Sequence, residues 1–157
     1  MRRLTALAVA SAVAVLIAGG SVPANAAEST GEQDPLITAM LAEVPGGVVV
    51  DETRVVWPRL DMELEVQPER AAFAFSVGSC ATGRICAYNA VSLAGSRLSF
   101  GTCGNHPIPS PFTARSVANA RLSGSVQARN GSTVVATVYA GNWTNLGGAV
   151  NNLRCVL

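Results

Sequence analysis

From Asp61 the chain reads DMELEV, with Met62, Leu64 and Val66 on one side of an extended segment and Asp61, Glu63 and Glu65 on the other. A period of two is what a strand with one buried face requires. Just upstream, VVV at 48–50, a DET turn and RVVWP from Arg54 predict a β-hairpin. AAFAFSV at 71–77 predicts another strand, with Phe73 and Phe75 on one face. The segment DPLITAMLAEVPGG follows a different period: Leu36, Met40 and Leu41 share a helical face, Asp34 can cap, Pro35 suits the first turn, and Gly46 and Gly47 end the helix.

Beyond Cys80 the apolar runs are short and broken by Gly, Asn, Ser and Pro. Strands are expected near 85–89, 96–100, 123–129, 133–139 and 149–156. Long connections are expected at 101–115, with Pro107, Pro109 and Pro111, and at 140–148, AGNWTNLGG. This half has no helical periodicity, and the pattern as a whole predicts a mainly β fold, a sandwich or small Greek-key domain.

The first 26 residues stand apart. Arg2 and Arg3 precede the apolar run LTALAVASAVAVLIAGG, and SVPANA ends in the triplet Ala24, Asn25, Ala26. This is the layout of a cleaved secretory signal, with the cut before Ala27. The run is near the short end for spanning a bilayer, which takes about 20 residues, and no later run is long enough, so no transmembrane anchor is expected. The organisation read from the sequence is a signal peptide at 1–26, an acidic helix-plus-hairpin segment at 27–76 opening on a polar AESTGEQ stretch, and a β domain at 77–157.

Export changes how the four cysteines read. In an oxidising compartment an even set forms disulfides, here two, with three possible pairings. The spacing Cys80-x5-Cys86-x16-Cys103-x51-Cys155 lacks the short paired knuckles of a zinc site, and the chain has one histidine. No metal and no other cofactor is expected. The favoured pairing joins Cys80 to Cys86 across a turn at Thr82 and Gly83, and Cys103 to Cys155. On the chain-entropy view the long closure stabilises by about 4 kcal/mol and the short one by about 2 kcal/mol.

The near-zero net charge hides a separation. All ten acidic residues lie between Glu28 and Glu69, where two arginines offset them; residues 70–157 carry seven arginines and no carboxylate. The separation reads as compositional drift in a gene that favours Arg, Gly and Ala codons, as docking of the acidic segment on the basic domain, or as a basic domain that meets an acidic partner outside the cell. The acidic segment reads equally as a removable pro-region, an intramolecular cover or extra strands. Seven dispersed arginines do not make a nucleic-acid module, and none is expected as partner. Catalysis also lacks a constellation. His106, the one imidazole, sits in a proline-rich loop where solvation is the ordinary state, and no G-x-S-x-G surrounds a serine. Glu63 and Glu65, on one strand face, have a separation compatible with glycoside hydrolysis, but alternating Glu on a solvated face needs no such role. The chain is not expected to be an enzyme. Trp57 ends an apolar run and reads as core; Trp143, in a polar loop, reads as a contact residue.

Two stretches share a spacing. In YNAVSLAG, Tyr88 is followed by Leu93 and Gly95; in VVATVYAG, Val134 is followed by Tyr139 and Gly141. This is similar to the aromatic-x4-aromatic-x-Gly folded-hairpin signature of βγ-crystallin Greek-key motifs, with Leu93 and Val134 each replacing a ring. The run GSCATGRICAYNAVSLAGSRLSF, with C-x-x-G-x-x-C-x-Y, and the later SVAN segment resemble secreted actinobacterial proteins of peptidase inhibitor family I36 over about 77–157. The resemblance implies a βγ-crystallin-like Greek-key sandwich and inhibition of an extracellular protease, of the metalloproteinase class. Calcium, which crystallin motifs can hold, is not expected: Phe112 and Thr113 stand where oxygen donors belong, Cys155 replaces a hydroxyl after Asn151 and Asn152, and no carboxylate follows Glu69. Two loops are candidates for entering a protease cleft. One is CGNHPIPSPF at 103–112, with His106, Pro107, Ile108 and Pro109, which is preferred; the other is the Trp143 loop. The alternative is a non-catalytic module whose arginines hold an anionic cell-wall polymer or glycan.

Overall fold

Asp34 begins the fold by accepting the backbone N–H of Leu36 on its Oδ1 at 2.8 Å, which caps helix α1 (Pro35–Glu43). The computed structural model describes residues 33–67 and 77–157, all within one compact unit, Gly31–Leu157. Helix α1 buries Ile37 and Met40 completely, and Leu36 and Leu41, expected on its apolar face, are half-buried beside them. Among the described residues eleven strands follow: β1 (Val48–Asp51), β2 (Arg54–Trp57), β3 (Met62–Glu65), β4 (Ile85–Tyr88), β5 (Arg97–Phe100), β6 (Asn105–Pro107), β7 (Ser116–Asn119), β8 (Ser125–Asn130), β9 (Thr133–Tyr139), β10 (Asn142–Asn145) and β11 (Asn152–Val156).

These strands form two antiparallel sheets, ordered β1-β2-β3-β5-β4-β7-β10 and β6-β11-β8-β9. The strands from β4 on divide into two sets of four. In each set the first, second and fourth strands lie together and the third crosses to the other sheet: β6 pairs with β11, and β10 with β7. Neither sheet is therefore complete without a strand of the other set. The acidic segment supplies β1, β2 and β3, which extend the larger sheet because β3 pairs along its length with β5, Met62 opposite Phe100 through Glu65 opposite Arg97.

The alternation seen in DMELEV is realised in the burial. Met62, Leu64 and Val66 are buried while Glu63 and Glu65 are not. Leu64 stands in a cross-strand row of Val55, Leu64, Leu98, Ala87 and Val117, all fully buried. Facing residues from the smaller sheet, among them Val126, Ala128, Val138 and Leu153, complete the core. Trp57 is 1% exposed, as its place in an apolar run suggested, and its indole Nε1 donates to the Val44 carbonyl at 2.8 Å, fixing the helix end against the sheet.

Both disulfides join the expected partners, Cys80 with Cys86 and Cys103 with Cys155. The second ties the segment after β5 to β11 and so links the two sheets. Three strands lie where connections were expected or between expected strands. β6 is short and contains Pro107, while β10 is exposed and polar. β7, SVAN, is buried along its whole length because Val117 packs in the main core while Ala118, on the other face, packs with Cys80, Cys86 and Tyr88, so it shows no alternation. The strand expected at 71–77 falls almost wholly outside the described residues, apart from a bridge between Val77 and Cys80. The signal peptide expected at 1–26 lies outside them too, as does nearly all of the AESTGEQ stretch. Among the described residues no helix is long and apolar enough to cross a membrane.

Leu64→Ala is expected to lower the unfolding free energy by about 2–5 kcal/mol, since it opens a gap in the fully buried apolar row between Val55 and Leu98. Urea denaturation of both proteins measures it.

Candidate functional site

The segment 103–112 lies along the sandwich as an edge strand and the turn after it, so the reading of His106 as solvated in a proline-rich loop is corrected. Burial alternates from Asn105 to Ile108: Asn105 and Pro107 are exposed, His106 and Ile108 buried. Phe112 is buried as well. The ladder contacts Ile108 N–H to Asn151 and Cys155 N–H to Gly104 direct the even-numbered residues toward β11. Pro107, which lacks an N–H, therefore faces the open edge, where no donor is needed and where it blocks further strand pairing.

The His106 ring stacks on Phe100 with centroids 4.6 Å apart. Its Nε2 lies 2.9 Å from the Thr102 carbonyl, which can only accept, so this nitrogen carries the proton. With Val44, Leu60, Met62 and the nearby prolines Pro107 and Pro109, His106 lines an apolar cleft of about 260 Å³. Burial pulls the imidazole below its ordinary value of 6.5; the Thr102 hydrogen bond and the Asp61 carboxylate oppose this, and the Arg121 charge adds to it.

Trp143 stands on β10, at the end of the larger sheet, and is 46% exposed. It sits opposite Ala118, which sits opposite Cys86, so Trp143 and the Cys80–Cys86 bridge share one sheet face. Leu146 N–H donates to the Arg115 carbonyl at 2.8 Å, and Gly141 N–H to the Asn119 carbonyl at 2.8 Å, so both ends of β10 are held against β7. The register leaves the N–H and C=O of Trp143 and Asn145 directed to the open edge. Sequence reasoning did not single out Asn119. It is fully buried, its Nδ2 donates to the Val138 carbonyl, and its Oδ1 accepts from Arg121 N–H, so it fastens the β9–β10 turn. Its signal was an Asn inside an otherwise apolar, buried run.

The two similar stretches occupy different places. Tyr88 and Gly95 lie on the β4–β5 connection, Tyr139 and Gly141 at the β9–β10 turn. Tyr88 is fully buried, and burial raises its phenol above the ordinary 10.0; Tyr139 is 69% exposed. Gly95 has φ +74°, and a Cβ there would fall 2.2 Å from Asn89 Oδ1, the acceptor of the Ser96 N–H. A side chain at 95 would break that turn. Gly141 shares the positive φ but has open space around it.

The acidic and basic halves meet on the outer face of the larger sheet. Arg97, with only 12% of its side chain exposed, pairs with both Glu63 and Glu65 and donates to the Ser79 carbonyl. Arg84 pairs with Asp61 at 3.5 Å and donates to Ser99 Oγ at 3.1 Å. The two glutamates are thus held by one guanidinium, which bridges neighbouring positions of β3 to β5. Among the described residues no three His, Cys, Asp or Glu side chains converge to hold a metal ion. No protein-family profile, curated protein or solved structure matches this chain.

A pH dependence follows from His106. The unfolded chain takes up this proton near 6.5, the buried imidazole only at lower pH, so the stability linked to neutral His106 is complete above 6.5 and declines as pH falls below it. Urea midpoints measured across that window are expected to drop in the wild-type protein, and His106→Gln is expected to lose that part of the drop.

Proposed function

We propose that this chain is an exported, non-catalytic protein of βγ-crystallin-like Greek-key architecture, similar to peptidase inhibitor family I36, and that it blocks an extracellular peptidase. Two four-strand sets that exchange their third strands suit a Greek-key pair. The position of Tyr88, Leu93 and Gly95 on the hairpin between the first two strands of a set suits the folded-hairpin signature. Two disulfides fit an oxidising compartment.

The observation that carries the reading is the extended segment Asn142–Asn145. A peptidase cleft takes its substrate as a strand, pairing with backbone groups and seating side chains in pockets. Strand β10 offers an open edge with Trp143 as anchor, already in the extended conformation, so little ordering entropy is lost on binding. Its other edge is bonded to β7 and both flanks are fastened, through Asn119 and Arg115. If the target cut this segment, the new ends would stay in the sheet rather than diffuse out. The 103–112 segment, preferred from the sequence, has Ile108 and Phe112 in the core and correspondingly little free length to enter a cleft.

The purified protein is expected to inhibit a thermolysin-like enzyme at stoichiometric ratio, and Trp143→Ala to weaken inhibition by about tenfold or more. Undiminished hydrolysis by thermolysin-like and subtilisin-like enzymes in the presence of excess protein would contradict the proposal.

A further inference from the structure

The outer face of the smaller sheet has a composition that solvation alone does not call for. Directly opposed residues in an antiparallel sheet lie on the same side, and the register places Asn105, Arg154, Gln127 and Thr137 in one row across all four strands. Their chain neighbours His106, Leu153, Val126, Ala128 and Val138 are buried on the inner side. Arg129, opposite Asn152, is the diagonal neighbour of Arg154, about 7–8 Å away by strand geometry. Tyr139 closes the β9 end of the face. Four strands at about 4.8 Å spacing make the row roughly 14 Å long.

No carboxylate occurs on any of these four strands. The described residues that neutralise the arginines of the basic half, Asp61, Glu63 and Glu65, pair with Arg84 and Arg97 in the other sheet. Arg129 and Arg154 have no carboxylate partner among the described residues, and Arg129 is steadied by donating to the Ser132 carbonyl at 2.6 Å. A solvated sheet face ordinarily mixes both signs of charge. This one combines two arginines at diagonally neighbouring positions with a row of amide and hydroxyl side chains.

We infer that this face binds a linear polysaccharide bearing carboxylate groups. The paired guanidiniums take the carboxylates through two-pronged hydrogen bonds. Asn105, Gln127 and Thr137 exchange hydrogen bonds with sugar hydroxyls, and the exposed Tyr139 ring offers an apolar platform for a sugar face. Nucleic acid fits the face less well, because duplex binders neutralise many phosphates and single-strand binders present several rings to successive bases, whereas this face has two arginines and one ring. The face lies in a different sheet from β10, so this inference is independent of peptidase inhibition.

Affinity electrophoresis of the purified protein through gels containing polygalacturonate, neutral dextran or no polymer tests it, with oligo(dT) as competitor. Retardation by polygalacturonate alone, relieved by added salt, is expected. Arg154→Gln, at an exposed position, and Arg129→Gln, at a half-buried one, are each expected to weaken binding about tenfold, while Arg59→Gln, exposed between β2 and β3, leaves it unchanged. No retardation at low salt, equal retardation of the Arg129→Gln/Arg154→Gln double variant, or displacement by oligo(dT) at lower concentration than by free polygalacturonate would each overturn the inference.

Discussion

The pairing of β3 with β5 is the constraint on which the rest of the molecule depends, because it makes two oppositely charged stretches of chain into one sheet. Its strength comes from the apolar side. Leu64 and Leu98 face each other in a fully buried row, and burying a side chain of that size is worth about 1.5–3 kcal/mol. The ion pairs on the other side contribute less, since partial exposure screens them and desolvation offsets the attraction. Their effect is on register. A slip of one residue would turn Glu63 and Glu65 into the core and Leu64 out to solvent. In the observed register both glutamates meet Arg97, and Asp61 meets Arg84. The charge separation along the chain thus becomes charge neutralisation at one seam.

That seam determines which charges remain for function. The smaller sheet keeps Arg129 and Arg154 without acidic partners among the described residues. At the far end of the larger sheet, the exchanged third strand β10 becomes an open edge that is rigid because β7 is anchored in turn to β4. The Cys103–Cys155 bridge holds the sheets together near the other exchanged strand, β6, whose edge Pro107 blunts. The fold therefore closes one exchanged edge and leaves the other available.

Much of this could be read from residue order, and the failures have physical causes. DMELEV declared its strand through strict alternation, and Asp34-Pro35 declared the helix start, because each is a local signal. The disulfide partners followed from the short turn at Thr82 and Gly83. β7 was missed because a strand buried on both faces has no period of two, and β6 and β10 because edge strands tolerate proline, asparagine and exposed side chains that also mark loops. The burial of His106 depends on its stacking on Phe100 and on the register with β11, whose Leu153 lies far along the chain. The same holds for Arg97, an ordinary surface residue by sequence that becomes the partner of two glutamates more than 30 positions earlier. Similar spacing at Tyr88–Gly95 and Val134–Gly141 fell on two different connections, since a short motif does not specify which turn it occupies.

Native-state hydrogen exchange at Glu63 and Glu65 tests the joining of the two halves most directly. The ladder geometry, with Gly101 N–H bonded to the Asp61 carbonyl, directs the amides of both glutamates to β5. If the acidic strands and the basic domain form one cooperative unit, these two amides exchange as slowly as those of Cys86 and Ala118 between β4 and β7 and respond equally to denaturant. Exchange at Glu63 and Glu65 that is far faster and insensitive to denaturant, with Cys86 and Ala118 still protected, would mean that the acidic segment opens on its own and would contradict the account.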